Sequence, residues 1–296
     1  MLVSNRLVLL ALFCHYASAE LVGGLGEVKD SQRAPSPVYA PDISQCPKLQ
    51  PRKERPTSIH DLRPDDIKAI AAIGDSVIAG VAAKNDETEC LTGESFKQYR
   101  GVSYSIGGIR SFVYIRVMSD ESMDKFNAAL LAGGSISFKD QIEYLVPKIG
   151  KDSPLARAWK VLTISLGQND LVVSCHPTFT IADYTARMIE GLRLLQDKVD
   201  YVLINLAELA KQFGPQGPNA TFGVIYQSAD VNVKSVDYRM ISNLDGYHPN
   251  LEGHKFFAKV LWDQMFLTKS EKLDNLQYDP KFPVRCPSED DRFATQ

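Results

Sequence analysis

Residues Ile67–Gly80 read IKAIAAIGDSVIAG. An apolar run that stops at Gly74-Asp75-Ser76 and resumes in small residues has the pattern of a buried parallel strand. Such a strand needs no polar alternation, because both of its faces are covered. Gly74 permits a sharp exit, and Ser76 then falls at the carboxyl end of the strand, where open α/β sheets place their ligands. A helix beginning just after Ser76 would turn free N–H groups toward whatever the hydroxyl attacks. Gly, Asp and Ser are equally ordinary turn and N-cap residues, so the tripeptide alone does not separate a nucleophile from a plain βα turn.

The pattern recurs outward from this stretch. Val161–Leu166 is a second buried-strand segment, ending in Gly167-Gln168-Asn169-Asp170, and Tyr201–Leu206 is a third. Between them, Ile142, Leu145, Val146 and Ile149 fall at helical spacing, with Pro147 predicting a kink or an early stop. Ile181, Tyr184, Met188, Leu192, Leu195 and Val199 mark one face of a clearer helix, and Leu251–Leu267 is a closing one. Strands alternating with helices predict an α/β fold, a three-layer α/β/α sandwich around a doubly wound, mostly parallel sheet. Glu20–Pro64 is polar and proline-dense, the composition of an extended arm. The expected organisation is a signal peptide at 1–19, the arm at 20–64, a catalytic-type domain at 65–270 and a tail at 271–296.

Composition narrows the class. A chain of 296 residues with 44% hydrophobic and 23% charged residues can bury a full core. The formal charge of −3 gives no electrostatic case for nucleic acid or an anionic membrane surface. Arg6, the run LVLLALF and Ala17-Ser18-Ala19 have the layout of a secretory signal peptide. No later run reaches the roughly 18 apolar residues that a transmembrane helix needs, so a secreted protein without a membrane anchor is expected. Cys14 would leave with the signal, while Cys46, Cys90, Cys175 and Cys286 remain. An even number in an oxidising compartment predicts two disulfides, without fixing the pairing. No C-x-x-C pair offers a zinc site, and no metal or cofactor is expected. Asn219-Ala220-Thr221 is a glycosylation acceptor in a Gly/Pro-rich loop.

Three polar blocks carry the chemistry. Ser76 needs a base, and His248 in Asp245-Gly246-Tyr247-His248 is of the right type. Asp245, three residues earlier, would reach the imidazole Nδ1–H across one helical turn and fix its tautomer. An oxyanion on an ester carbonyl needs converging donors: the Ser76 N–H, a glycine N–H from Ser105–Gly108, and the Asn169 amide. Taken singly, Asn169 reads as a turn cap, Gly107-Gly108 as a tight loop and Asp245–His248 as a helix cap. His60, His176 and His254 leave other bases open, His254 being the weaker because no acid precedes it at triad spacing. Order and placement on one side of one sheet favour the joint function.

Gly-Asp-Ser, a glycine block, G-x-N-D and D-x-x-H in that order resemble the SGNH (GDSL-type) hydrolases. TSIHDLRPDDIKAIAAIGDS, YRGVSYSIGG, the segment Trp159–Leu171 and DGYHPN are similar to the phospholipase B branch, over about Cys46 to Cys286. The resemblance implies Ser76 as nucleophile, Gly108 and Asn169 as oxyanion donors, and Asp245 and His248 as the rest of the triad. It implies metal-free hydrolysis of carboxylic esters, typically lipid acyl esters, with at most transient contact with a lipid surface. Cys46-Pro47 and Cys286-Pro287 fall where the branch carries such dipeptides. Val172 stands at the first position of a C-x-x-C common there. On that basis the expected bridges are Cys46–Cys286 and Cys90–Cys175.

Further departures sit near the site. Val77 follows the serine in place of leucine, Ile109 stands for an aspartate and Gln168 for a glycine, the last two beside the expected oxyanion hole, where a glutamine has the bulk to crowd it. The segment Ala210–Leu244 is short, and a crossover helix is expected to be missing from it. Two further functions share the pattern: a catalytically impaired lipid-binding protein, and a glycan O-deacetylase.

Overall fold

The computed structural model describes residues 36–85, 90–106, 123–174, 176, 179–206, 209–227 and 230–295. The expected signal peptide, Gly108, Ile109 and Cys175 lie outside these residues. The central sheet is built from β2 (Ile67–Gly74), β3 (Asp124–Asn127), β4 (Trp159–Ser165), β5 (Val202–Leu206) and β6 (Phe222–Tyr226), in the order β3-β2-β4-β5-β6. Every neighbouring pair is parallel. The order turns back on itself between β2 and β4, which opens a crevice at their carboxyl ends. Gly74 pairs with Ser165 at that point, so the Gly-Asp-Ser and Gly-Gln-Asn-Asp segments leave the sheet side by side.

Burial follows the pattern of the sequence. β2 is buried at every position except Lys68, and β5 at all of its positions. One face of the sheet packs against α1 (Phe138–Ile149) and α3 (Ile181–Lys198), through Ile142, Leu145, Met188, Leu192 and Leu195. Thr180 and Asp183 close a capping box at the start of α3, which fixes where that helix begins. The other face packs against α5 (Leu251–Gln264) through Ala258 and Trp262, which gives the three layers. Residues of the arm enter this second core: Ile43, Ile59 and Leu62 are buried, and the Trp159 Nε1–H donates to the Pro56 carbonyl at 2.8 Å. A small antiparallel pair of β1 (Val38–Ala40) and β7 (Val284–Cys286) ties both ends of the described chain together. A disulfide between Cys46 and Cys286 lies beside it.

Three features depart from what the sequence predicts. α1 does not stop at Pro147 but runs two residues beyond it, its end held by packing of Ile149 in the core. β3, with the sequence Asp-Lys-Phe-Asn, carries no apolar run because it is an edge strand, where charge is tolerated and useful. As the sequence predicts, no full crossover helix joins β5 to β6: the described residues there form only the one-turn α4 (Ala210–Phe213), and Pro215 packs so close to Gly223 that no side chain would fit there. The second expected bridge is absent: Cys90 is exposed and carries no disulfide. Among the described residues, no helix is long and apolar enough to cross a membrane.

Candidate active site

β2 delivers Ser76 to the crevice through a bend that only glycine allows. A Cβ on Gly74 would lie 2.3 Å from Ile78 Cγ1. No helix follows the serine. Residues 76–80 form consecutive turns, with the Ala79 N–H on the Asp75 carbonyl at 2.9 Å and the Val81 N–H on the Ser76 carbonyl at 3.0 Å. The helix-dipole contribution expected at this position therefore does not arise. Asp75 is buried, and its carboxylate accepts from the Val77 N–H at 2.9 Å, which holds the turn in shape. Burial pushes its carboxyl up, against the pull of the neighbouring N–H groups and of His248.

Ser76 is 8% exposed, and its Oγ lies 2.7 Å from His248 Nε2. His248 Nδ1 lies 2.5 Å from Asp245 Oδ2. Asp245 reaches the ring from a turn rather than from a helical turn, with Gly246 at φ +66°, in the left-handed region. The other carboxylate oxygen, Oδ1, accepts from the Tyr247 N–H at 2.9 Å and the His248 N–H at 3.0 Å. Burial opposes ionisation of Asp245, but the two N–H groups and the imidazole hold its carboxyl below the usual range. An ionised Asp245 accepts the Nδ1 proton, so Nε2 is left to accept from the Ser76 hydroxyl.

Asn169 begins the short α2 (Gln168–Val173), directly after β4, and its Nδ2 donates to the Gly133 carbonyl at 2.7 Å. That bond uses one of its two amide hydrogens. Gln168 is exposed at the rim of the cleft. Gly108 lies outside the described residues. The glycine pair that meets Asn169 is Gly133-Gly134, on the loop after β3.

That loop is the functional segment the sequence reading misses. The Asn127 Nδ2 donates to the Ile78 carbonyl at 2.8 Å, tying the loop to the turns after Ser76. The Leu130 N–H donates to the Gly74 carbonyl at 3.0 Å. Asp170 caps the next turn, accepting from the Ser135 N–H at 2.9 Å and the Ser135 hydroxyl at 2.5 Å. A Cβ on Gly134 would meet Asp170 Oδ2 at 2.7 Å. Gly-Gly before Ser is a signal the sequence does contain, but nothing local marks it as part of the site.

His254 is not an alternative base. It is fully buried in α5, its Nδ1 accepts from the Tyr104 N–H at 3.3 Å, and Tyr104 stacks beside it. Burial, helped by the charge of His248, pulls its imidazole down to about 4. His60, half-buried in the arm, lies between the Thr295 hydroxyl and the Gly217 carbonyl. Asn219 is exposed on a turn. Among the described residues no cluster of His, Cys, Asp or Glu is arranged to hold a metal.

A cavity of about 1150 Å³ opens beside the triad, with Val77, Gly167 and Tyr247 at the junction. Leu166, Tyr184, Val236, Phe257 and Leu261 make much of its wall apolar.

Over 189 residues the chain is 31% identical to the membrane-associated phospholipase B1 of Mus musculus, covering 55% of this chain and 12% of that protein. It is 23% identical to the Homo sapiens protein of the same name, covering 84% of this chain and 23% of that one. The chain thus spans less than a quarter of the relatives it matches. Among solved structures it is similar to a carbohydrate esterase, with a TM-score of 0.45 and 16% identity over 70% of each chain. It is also similar to an acetyl xylan esterase from Geobacillus stearothermophilus, with a TM-score of 0.36 and 13% identity over 65% of this chain and 91% of that one. The model of the GDSL-like lipase/acylhydrolase family matches residues 70–261, from the strand that carries Ser76 into the helix that follows His248, and the chain belongs to that family.

Proposed function

We propose that this chain is a serine carboxylic ester hydrolase, secreted, and phospholipase B- or lysophospholipase-like in its substrates. The observation that carries the proposal is the continuous hydrogen-bonded line from Ser76 Oγ through His248 to Asp245, at 2.7 and 2.5 Å, beside a largely apolar cavity. His248 Nε2 takes the hydroxyl proton as Oγ attacks the ester carbonyl, and Asp245 stabilises the imidazolium that forms. The Ser76 N–H and the second amide hydrogen of Asn169 are the donors for the tetrahedral oxyanion. The imidazolium then protonates the departing alcohol, leaving an acyl-Ser76 ester. Water, deprotonated by the same imidazole, releases the acid. The apolar wall suits an acyl chain, and the relatives named phospholipase B1 support a lipid ester over an acetylated glycan.

An aligned triad also weighs against a binding protein that has lost catalysis. The test is labelling by a fluorophosphonate, together with a series of esters of increasing acyl length. Labelling confined to Ser76 and absent in Ser76→Ala is expected, with turnover improving beyond acetyl. A folded protein that neither labels nor cleaves any ester refutes the proposal, and best turnover on acetyl esters would favour the deacetylase.

A further inference from the structure

We propose that Arg187 is a substrate-recognition residue, anchoring an anionic phosphodiester group on the alcohol portion of the ester. The inference rests on the cavity beside Ser76 being the substrate cleft. α3 presents Ile181, Tyr184 and Arg187, one helical turn apart, along that cleft. Tyr184 is spent on structure, its hydroxyl donating to the Leu166 carbonyl at 3.2 Å. Arg187 is not. Its guanidinium makes one long hydrogen bond, Nη1 to Ser135 Oγ at 3.4 Å, and lies 5.7 Å from the Phe179 ring centroid. Among the described residues it makes no ion pair. A half-buried guanidinium has five N–H donors in a planar fork, so most of this donor capacity faces the cleft unspent.

The surroundings say what such a fork would take. Two carboxylates lie near the fork, Asp170, which accepts from the N–H and hydroxyl of Ser135, and Asp183, one turn earlier on α3 and bonded to Thr180; among the described residues that line the cleft, Arg187 is the one cationic side chain. Asp230 and Asp274, on the segments after β6 and α5, also line the cleft and repel an anion from their parts of it. An anionic group entering the cleft is therefore directed to Arg187. Asp170 follows Asn169, and Ser135 follows the Gly133-Gly134 turn that Asn169 bonds, so hydrogen bonds link the guanidinium through Ser135 to the segment that carries Asn169. Gln168, Ser174 and Thr180 make this edge of the cleft polar, whereas Val236, Phe257 and Leu261 make an apolar wall for an acyl chain. Arg pairs with phosphodiester oxygens in bidentate fashion, and hydrogen bonds to charged groups are the stronger class.

The test is binding to the full chain by calorimetry, with two single-chain probes that contain no carboxylic ester. Dodecylphosphocholine carries the phosphodiester, and the dodecyl ether of glycerol is its neutral counterpart, both used below micelle-forming concentrations. Wild-type protein should prefer the phosphodiester by about ten- to a hundredfold, the range of one charge-assisted contact. Arg187→Gln should abolish that preference while leaving affinity for the ether within about twofold. If the glutamine variant does not fold, Arg187→Lys, which keeps the charge but loses the fork, should reduce the preference by several-fold. Equal affinities in the wild type overturn the proposal. So does a preference that survives in Arg187→Gln, or a variant that weakens both probes alike, as a purely structural arginine would. Binding needs no turnover, so this outcome is independent of whether Ser76 labels or cleaves esters.

Discussion

Asp245→Asn is the substitution whose consequence the geometry determines most fully. The two carboxylate oxygens have different tasks: Oδ2 faces His248 Nδ1 at 2.5 Å, and Oδ1 accepts from two backbone N–H groups at 2.9 and 3.0 Å. An asparagine amide must put its oxygen on one side and its NH₂ on the other. Turning the NH₂ toward the backbone sets donors against donors and leaves both N–H groups unmet, at about 1–3 kcal/mol each. The oxygen therefore stays with the backbone and the NH₂ faces the ring. Nδ1 must then accept, the ring proton moves to Nε2, and Nε2 can no longer take the Ser76 proton. A Ser-His pair locked in that tautomer loses on the order of 10⁴-fold in kcat, or about 5 kcal/mol of barrier. Turnover of a soluble short-chain ester and the rate of fluorophosphonate labelling should fall together, with KM and the unfolding temperature little changed. A folded Asp245→Asn protein within about tenfold of wild-type kcat at pH 7 would refute the assignment of Asp245.

Other perturbations probe separate parts of the structure. Asn169→Ala removes both the proposed oxyanion donor and the bond to the Gly133 carbonyl, so turnover should drop roughly a hundred- to a thousandfold while some Ser76 labelling survives. Gln168→Gly should leave steady-state turnover within about twofold, since the glutamine is exposed at the rim; a large gain would show that it does obstruct the hole. Cys46→Ser with Cys286→Ser opens a loop closed across a separation of 240 residues and should cost at most about 5 kcal/mol in denaturant unfolding, with no specific effect on the labelling of folded protein. His254 is held neutral, with its imidazole pulled from 6.5 down to about 4, so the unfolded chain binds a proton that the folded chain refuses. Its contribution makes stability fall as pH drops from about 6.5 to 4, by up to about 3 kcal/mol. His254→Phe should flatten that part of the unfolding profile, and an unchanged slope would mean that the imidazole charges in place.

The parts of the fold legible in the sequence are those whose physics is local. β2, β4 and β5 are buried on both faces, so their apolar runs need no partner to be recognised, and α3 carries its own capping box. β3 was not legible, because Asp-Lys-Phe-Asn becomes a strand only by pairing with β2, with Ala69 opposite Asp124 through Ala72 opposite Asn127. α1 passes Pro147 because the tertiary contacts of Ile142, Leu145 and Ile149 outweigh one missing backbone bond. The wrong disulfide has a related origin, since cysteine count limits the number of pairings but distance selects among them.

The site divides along the same line. Ser76, Asp245 and His248 have side chains whose chemistry is visible in the sequence, and the fold brings them to 2.7 and 2.5 Å. The residues that position Asn169 have no such chemical signature. Gly133 and Gly134 are ordinary turn residues in sequence, as Gly107 and Gly108 are. What singles out the later pair is a parallel register: β3 lies beside β2, its exit loop runs back over Gly74, and Asn169 arrives from β4 to bond the Gly133 carbonyl. Backbone N–H and C=O groups are the same in every residue, so a site assembled from them becomes visible only when strand order is known. Ser135 and Asp170 carry the same dependence outward to Arg187, which shares a cleft with residues from β4, from the segment after β6 and from α5, parts of the chain that only the fold brings together.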